Sequence, residues 1–518
     1  MGSKQRGNAL LDVAEVAFIS GNVVAAREGN ANALSFNEKA NDKAGVQRSR
    51  ILEARIAFSA RQLDDARAIL ERVVAEAEAK SVRWEAESWL AQVYAARGQN
   101  APADEHFRAA IETVDDARRD VQKSELRIAV PDLATKLYDA YVEFLVQQDR
   151  RVDALRIAEL NRARTLAEGL RLDRDGTLEP EKIAREANIV ALSYRLGHAR
   201  SFLWVITPAS VELFTLPAAE TIERAVARYQ ETFATSRGTL EASGARGEEL
   251  YRMLLGPAEK ALRGVTRLAI IPDGRLAAFN FETLVVPSTH RYWIEDVTIE
   301  TALSLQLLSR ARAPTRGGRL LLIASASPPD PAFPRLLYAD EEMRRVRTHF
   351  AEATTLAGAQ ATPRAYLAAA PESYAFVHFV AHGVATQQRP LDSAIILASD
   401  GEGYKLYARN IVAHRLTARL VTISSCHGAG RRTFQGEGLV GLAWAFLSAG
   451  AHQVIAALWE VNDRATYDLM DAMYAEIHDG RDPVDALRTA KLKLVHSRTI
   501  YRKPFYWAPF VIYTGSWS

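Results

Sequence analysis

One cysteine and one histidine stand out as residues that are able to act together in catalysis. His382 follows the apolar run VHFVA and precedes Gly383, and Cys426 follows LVTISS and precedes HGAG. A cysteine attacks as the thiolate, and a neighbouring imidazole both favours ionisation of the thiol and later gives a proton to the leaving amine. These two residue types in this context therefore predict nucleophilic acyl transfer.

The elements that must position the pair are two predicted strands. VHFV and LVTIS are apolar without strict alternation, which is typical of central strands buried on both faces. Functional groups of open parallel sheets gather at the carboxyl ends of strands, so we expect His382 and Cys426 to be neighbours. The backbone N–H groups of Gly383 and Cys426 are the candidate oxyanion hole. The alternative is structural, with Cys426 as a buried apolar residue and His382 as a hydrogen-bonded one.

The composition narrows the class of protein. Among 518 residues Cys426 is the single cysteine, so neither an intramolecular disulfide nor a thiolate metal cluster can form. A net charge of +2 and the lack of a dense basic stripe argue against a nucleic-acid partner. No run reaches the length of a signal peptide or a membrane span, so we expect a cytoplasmic protein that does not bind a membrane.

The first third of the chain, residues 1–172, has the pattern of helical hairpins. Its clearest unit, EAESWLAQVYAARGQNAPADEHFRAAI, carries small and aromatic residues at the offsets of a tetratricopeptide-like repeat: Ala91, Tyr94, Gly98, Ala103, Phe107 and Ala110. Four of these positions recur one repeat earlier, as Ala54, Ala66, Leu70 and Val73, and weaker copies centre on Ala26 and Ala154. The pattern predicts a short all-α solenoid, a type of fold that exposes a concave surface to another chain.

The rest of the chain alternates between strand and helix patterns, which predicts an α/β layered domain. We expect a linker over 173–186 and two halves over 187–312 and 313–518, separated near the segment RAPTRGGR. The predicted strands are NIVALSYRL, SFLWVITPA, VELFTLP and TRLAIIP in the first half, and LLLIASAS, ATTLAG, AFVHFVAH, SAIILAS, RLVTISSC and QVIAALWEV in the second. The predicted helices are ETIERAVARYQETF, ADEEMRRVRTHF, EGLVGLAWAFLSAG, ATYDLMDAMYAEIHDG and DPVDALRTAKLKLVH.

From about Ala187 to Ser518 the chain resembles the CHAT domain family, which comprises caspase-like peptidases that often follow tetratricopeptide repeats. The text that carries the resemblance is PDGRLAAFNFETL, VHFVAHG, LVTISSCHGAG, GEGLVGLAWAFLSAGAHQVIAALWEVND, DALRTAKLKL and YWAPFVIYTG. The resemblance implies a caspase-like α/β fold related to caspases, gingipains and separase. It also implies an inactive first half, a catalytic second half, His382 as catalytic histidine and Cys426 as nucleophile.

Three acidic residues are candidates for binding the substrate side chain that precedes the cut. By the resemblance, Glu460 and Asp463 in ALWEVND line that pocket, where they would favour Arg or Lys. The alternative is that Asn462 or Asp463 caps the following helix. Asp392 in PLDSAIIL is either a third pocket residue or a turn residue before a strand.

A metal or cofactor is not expected. His378 and His382 are four residues apart, but the surrounding run is apolar and offers no third ligand. We also find no nucleophile elbow, phosphate-binding loop or dinucleotide motif in a suitable context.

Two hypotheses from different classes follow. In the first, the protein is a cysteine endopeptidase that cleaves a protein or peptide through a thioester acyl-enzyme and is activated by a protein partner or ligand bound to the repeats. In the second, it is a catalytically silent scaffold that binds a protein partner. Covalent labelling of Cys426 by a peptidyl inhibitor distinguishes them.

Overall fold

The structure is a computed structural model, and it describes residues 3–119, 135–160, 162, 178–233, 240–308, 318–384, 390–424, 433–434, 438–439, 441–459, 461 and 463–515. The chain divides into two compact units, Met1–Ala158 and Glu159–Ser518. Each unit is treated by itself below.

The first unit is built from helices, as predicted. Its helices are α1 (Ser3–Ile19), α2 (Val23–Lys39), α3 (Lys43–Ser59), α4 (Leu63–Glu76), α5 (Lys80–Ala96), α6 (Asn100–Arg119), α7 (Thr135–Gln147) and α8 (Arg151–Leu160). The alanines of the repeat pattern are all buried: Ala26, Ala54, Ala66, Ala91, Ala103, Ala110 and Ala154. Phe107 fills the space beside them and stacks on Tyr141, with 4.7 Å between the ring centroids. The helical-repeat prediction is thus confirmed.

Glycine at position 98 has a specific role in this packing. After α5 the chain turns with Gly98 at φ +73°, a conformation that residues with a Cβ rarely adopt. The N–H of Gln99 donates to the carbonyl of Tyr94 across this turn, which closes the end of α5 and starts α6 in the opposite direction.

The second unit combines a large sheet with helices on its faces. Its strands are β1 (Val190–Arg195), β2 (Ser201–Ile206), β3 (Val211–Leu216), β4 (Arg267–Ile271), β5 (Thr298–Ala302), β6 (Leu320–Ala324), β7 (Ala353–Ala357), β8 (Phe376–Val380), β9 (His382–Val384), β10 (Ala394–Ile396), β11 (Lys405–Tyr407), β12 (Leu420–Ser424), β13 (Thr433–Phe434), β14 (Gly438–Leu439), β15 (Gln453–Ala457) and β16 (Phe510–Thr514). Its helices are α9 (Pro180–Ala187), α10 (Ala219–Gln230), α11 (Leu240–Leu254), α12 (Ala339–Thr348), α13 (Pro363–Ala368), α14 (Ala408–Val412), α15 (Leu442–Ala449), α16 (Asp463–His478), α17 (Pro483–Val495) and α18 (Pro504–Trp507).

Eleven strands form one sheet in the order β3-β2-β1-β4-β5-β16-β15-β12-β8-β6-β7. Strands β1 to β5 make one contiguous side of this sheet, and the strands of the second half make the other: β6, β7, β8, β12, β15 and β16. The two predicted halves thus share a single sheet. They meet where β5 and β16 run parallel, with Thr301 opposite Tyr513 and Ala302 opposite Thr514. The predicted α/β fold after the helical repeats is confirmed.

The apolar strand runs are buried on both faces, which explains why they do not alternate. On β8 and β12, Val377, Phe379, Val421 and Ile423 pack on the side of α15. Phe376 and Leu420, which directly precede Val377 and Val421, pack on the opposite side, against α16 and α17. The central strands are therefore packed from both sides, which fixes the positions of their ends.

The segment SAIILAS forms a strand, but not in the large sheet. β10 lies in a separate three-stranded sheet of order β11-β10-β9 and pairs antiparallel with β9, so that Ile396 lies opposite His382. The predicted strand is thus confirmed, and it joins the small sheet because the chain between β9 and β10 is too short for the crossover that a parallel neighbour requires, whereas an antiparallel hairpin needs only a turn.

The helix expected from Glu437 starts later. The described part of this segment has Gly438–Leu439 in a two-residue strand paired with β13, and α15 begins at Leu442. Glycine at 438 and 441 disfavours helix at these positions, which accounts for the difference.

Within the described ranges, no helix is both long and apolar enough to cross a membrane. Helix α9 occupies the end of the segment that we expected to be a linker. The domain boundaries at 172, 186 and 312 stay predictions.

Candidate active site

Three neighbouring parallel strands end together at one edge of the large sheet, and two of them precede the predicted catalytic residues in the sequence. β8 pairs with β6 on one side and with β12 on the other, and the three strands end in register at Ala324, Val380 and Ser424. The predicted adjacency of the VHFV and LVTIS strands is therefore confirmed. His382 and Cys426 each follow in the sequence two residues after the strand end.

His382 is held by a hydrogen bond to the backbone. Its side chain is mostly buried, with 7% of the residue exposed, and Nε2 lies 2.6 Å from the carbonyl oxygen of Pro334. A carbonyl oxygen only accepts, so Nε2 carries the proton and donates it to this bond. In the neutral imidazole, Nδ1 is then the nitrogen with the free lone pair.

Gly383 presents its backbone away from the small sheet. Leu397 N–H donates to Tyr404 O, and Ala408 N–H donates to Ser393 O. Ser393 and Leu397, which flank β10, therefore direct their backbone polar groups toward β11. Since pairing alternates along antiparallel strands, Ile395 also bonds toward β11, and its partner Gly383 is in a non-hydrogen-bonded pair. The N–H of Gly383 is thus not used in pairing with β10.

The loop that supplies the Pro334 carbonyl connects β6 to α12 and is named here the Pro334 loop (residues 325–338). Its ends are closed by bonds from Ser325 N–H to Val380 O, 2.9 Å, and from Leu336 N–H to Ala326 O, 2.9 Å. Phe333 lies beside the imidazole, with 5.6 Å between the ring centroids of Phe333 and His382. The loop therefore covers one side of the histidine.

The Pro334 loop is also tied to the small sheet. Asp330 accepts a hydrogen bond from the hydroxyl of Tyr404, 2.8 Å, and another from the N–H of Ala332, 2.9 Å. The hydrogen bonds from Ala332 and Tyr404 lower the pKa of Asp330, and the bond to Asp330 raises the pKa of Tyr404. At neutral pH the carboxylate is therefore the acceptor and the phenol the donor.

Two buried hydroxyls lie at the same strand ends. Ser325 and Ser424 are almost fully buried, and their side-chain oxygens have no hydrogen-bond partner among the described residues. Buried polar groups without partners are uncommon in proteins.

The other predicted site residues fare differently. Cys426 and Glu460 lie outside the described residues, so their positions stay predictions. Asp463 is the first residue of α16, and its side chain is not described. Asp392 is described, and its carboxylate forms an ion pair with Arg409.

His378 is part of a buried structural network. Its Nε2 lies 2.9 Å from Glu342 Oε1, and its Nδ1 lies 3.1 Å from the Tyr474 hydroxyl, which in turn lies 2.9 Å from Thr422 Oγ1. Both ring nitrogens are used in this way. Among the described residues, no group of three or more His, Cys, Asp and Glu side chains is arranged to hold a metal ion.

Sequence reasoning missed Pro334, Phe333, Asp330 and Tyr404. The segment SPPDPAFPRLL between β6 and α12 has the proline content of a constrained loop, and this was the available signal. Nothing in the sequence connects that loop to a histidine that lies a further 48 positions along the chain.

A family model decides the classification. The CHAT domain model matches residues 244–515, just over half of the chain. The chain belongs to the CHAT domain family. The match includes both strand-end motifs and β16, and it begins within α11, so the CHAT domain spans both sides of the large sheet.

Two curated relatives match a shorter part of this CHAT domain protein. Tetratricopeptide repeat protein 28 of Mus musculus is 36% identical over 107 residues, which are 21% of this chain and 4% of the mouse protein. Tetratricopeptide repeat protein 28 of Homo sapiens is 30% identical over 124 residues, which are 22% of this chain and 5% of the human protein. The match thus spans about one twentieth of the length of these relatives.

Three solved structures are similar to the chain at low sequence identity. The Saccharomyces cerevisiae separase–securin complex is 9% identical with a TM-score of 0.47, covering 99% of this chain and 53% of that one. The Arg-specific cysteine proteinase gingipain R is 12% identical with a TM-score of 0.34, covering 57% of this chain and 74% of that one. Podosopora anserina kinesin light chain TPR-like repeats are 19% identical with a TM-score of 0.23, covering 36% of this chain and 85% of that one.

Proposed function

We propose that this CHAT domain protein is a cysteine endopeptidase in which Cys426 is the nucleophile and His382 is the acid and base. The observation that carries the proposal is the register of β8 and β12, which end opposite each other two residues before His382 and Cys426. The hydrogen bond from His382 Nε2 to Pro334 O supports it, because it leaves Nδ1 available for the proton of the thiol.

The proposed reaction has two acyl-transfer steps. The Cys426 thiol gives its proton to Nδ1 of His382 as the sulfur bonds to the peptide carbonyl carbon, and the carbonyl oxygen becomes an oxyanion. The C–N bond then breaks, the amine leaves with the proton from His382, and a thioester remains. Water gives a proton to Nδ1 as its oxygen bonds to the thioester carbon. The C–S bond then breaks, the sulfur takes the proton back from His382, and a carboxylic acid is released.

The oxyanion is the part of this reaction that the backbone would stabilise. The N–H of Gly383 is a suitable donor because it does not pair with β10, and the N–H of Cys426 is the proposed second donor.

We propose that the side chain preceding the cut is Arg or Lys, bound by Glu460 and Asp463. A carboxylate recognises either cation through a charge-assisted hydrogen bond. Asp392 is the weaker of the three candidates because Arg409 already neutralises it.

The helical repeats are the proposed site of an activating protein partner. In the first unit a groove of about 600 Å³ lies between α2, α3 and α4 and is lined by Asn30, Leu34, Ile56, Ala57 and Ile69 among others. The charged side chains of Arg27, Glu53 and Asp65 also line this groove, so it combines apolar and charged surface for a partner. A reducing compartment such as the cytoplasm would keep the single cysteine free.

Activity-based labelling tests the proposal. We expect a peptidyl acyloxymethyl ketone with Arg before the warhead to label the full chain at Cys426 faster than the matched Ala and Asp probes. Labelling should be absent in Cys426→Ala and much slower in His382→Gln, while Glu460→Gln should reduce the preference for Arg. Equal labelling of wild type and His382→Gln would contradict the dyad.

The second candidate function is a scaffold that binds a protein without cleaving it. The observation that favours it is that both curated relatives are named as tetratricopeptide repeat proteins. No labelling by any of the probes, with candidate partners present, would support this function over the peptidase.

A further inference from the structure

The orientation of the His382 imidazole depends on the position of one carbonyl group. The Pro334 loop is closed at its ends by the bonds from Ser325 N–H to Val380 O and from Leu336 N–H to Ala326 O. Pro334 itself is exposed and has no N–H to donate, so no bond of its own nitrogen orients it. The direction of its carbonyl therefore depends on the contacts in the middle of the loop.

The middle of the loop is organised around Asp330. Its backbone carbonyl accepts from Phe333 N–H, 3.0 Å, and its Oδ1 accepts from Ala332 N–H, 2.9 Å. These bonds form a tight turn immediately before Pro334. The second carboxylate oxygen is the one that accepts from Tyr404, 2.8 Å.

Tyr404 belongs to the sheet that also carries the histidine. It directly precedes β11, and its carbonyl accepts from Leu397 N–H, 2.7 Å, just after β10. β10 in turn pairs with β9, in which His382 is the first residue. The His382 imidazole and the Tyr404 hydroxyl are thus both attached to the small sheet. The sheet therefore fixes the position of the loop turn relative to the ring.

We propose that Tyr404 and Asp330 are positioning residues that hold the Pro334 carbonyl against Nε2 of His382 and so keep Nδ1 directed to the reaction. This inference extends the proposed peptidase function. Neither residue touches the reacting atoms in this account. Without the hydrogen bond from Tyr404, the turn at Asp330 is no longer attached to the small sheet. The Pro334 carbonyl then no longer holds a fixed position beside Nε2, and both tautomers of the His382 imidazole become populated.

Nuclear magnetic resonance of the full chain with ¹⁵N-labelled histidine tests this directly. The ¹⁵N shifts distinguish a protonated ring nitrogen from one with a lone pair, and the His382 signals are identified by their loss in His382→Gln. We expect the Nε2–H form in wild type and a mixture of both forms in Tyr404→Phe and in Asp330→Ala. Tyr407→Phe is the matched control, because it also removes a tyrosine hydroxyl from the small sheet. The Tyr407 ring packs on Arg409 and not on the Pro334 loop.

Kinetics provide the second readout. With the fluorogenic peptide that wild type cleaves fastest, kcat should fall roughly tenfold in Tyr404→Phe while KM stays unchanged, since misplacing a catalytic group affects the transition state more than binding. The double variant Tyr404→Phe/Asp330→Ala should be no slower than either single variant, because both remove the same contact.

The outcomes separate this inference from the proposed function. If the His382 spectrum in both Tyr404→Phe and Asp330→Ala equals that of wild type, the positioning role is overturned, whatever the activity. If the spectrum changes in these variants but not in Tyr407→Phe, and wild type cleaves no peptide, the positioning role stands and the peptidase function falls.

Discussion

Val380 and Ser424 lie opposite each other as the last paired residues of two neighbouring parallel strands. In the sequence, His382 and Cys426 each follow two residues after one of these strand ends. Because both strands are buried on both faces, their ends are fixed relative to each other. This relationship is what makes a cysteine–histidine pair physically reasonable here.

A buried ion pair connects the two sequence halves that share the large sheet. Lys491 of α17 contacts Glu282 and donates to Phe510 O at 2.6 Å, and burial lowers the pKa of Lys491. We predict that Lys491→Met lowers the free energy of unfolding of this unit by about 3–5 kcal/mol, because it leaves the Glu282 carboxylate buried without its cation. Denaturant unfolding followed by tryptophan fluorescence measures the effect.

The matched control lies on the same helix. Lys493 forms an exposed ion pair with Glu476 at 3.1 Å, and Lys493→Met should change the free energy of unfolding by less than about 1 kcal/mol. Equal effects of the two substitutions would contradict the role of the Lys491 pair.

Two buried tyrosines should respond oppositely to loss of the hydroxyl. Tyr474 bonds to both His378 and Thr422, so Tyr474→Phe should cost about 1–3 kcal/mol of unfolding free energy. The Tyr513 hydroxyl has no partner within the described residues, so Tyr513→Phe should be neutral or stabilising. Thermal unfolding of the two variants under the same conditions tests the contrast, and a lower midpoint for Tyr513→Phe than for Tyr474→Phe would refute it.

Acid should destabilise the protein partly through His452. Burial, helped by the positive charge of Arg419, lowers the pKa of His452 from 6.5 to about 4. Between these two pH values the His452 side chain binds a proton in the unfolded chain but not in the folded one. The contribution of neutral His452 to the free energy of unfolding is therefore fully present above pH 6.5 and is lost as the pH falls toward 4. It amounts to at most roughly 3 kcal/mol.

His452→Gln isolates that contribution because glutamine does not titrate. We predict that the unfolding midpoint of wild type falls further between pH 7.5 and pH 4.5 than that of His452→Gln. If the two proteins lose the same amount, His452 is not a source of the acid sensitivity.

The sequence was sufficient for what periodicity and local composition determine. Small residues such as Ala91 and Ala103 identified the helical repeats, and the unbroken apolar runs of VHFV and LVTIS identified two central strands that prove to be neighbours. Both signals are local, because burial on one face of a helix or on both faces of a strand leaves a pattern over a few residues.

The missing parts depend on contacts between distant segments. Pairing of β5 with β16, the ion pair of Glu282 with Lys491, and the bond of His382 to Pro334 each join residues that no local pattern connects. Strand β10 shows the same limit, since its composition predicted a strand but not the sheet that it joins.

The most direct test of the account is the pH dependence of alkylation at Cys426. Because the chain has a single cysteine, the rate of iodoacetamide incorporation measured by intact mass reports on that residue alone. An isolated thiol reacts in proportion to its thiolate, with a midpoint near about pH 8.5. We predict that wild type retains fast alkylation at pH 6.5 and that His382→Gln loses it, with a midpoint close to that of an isolated thiol. Identical profiles for the two proteins would contradict the pairing of Cys426 with His382.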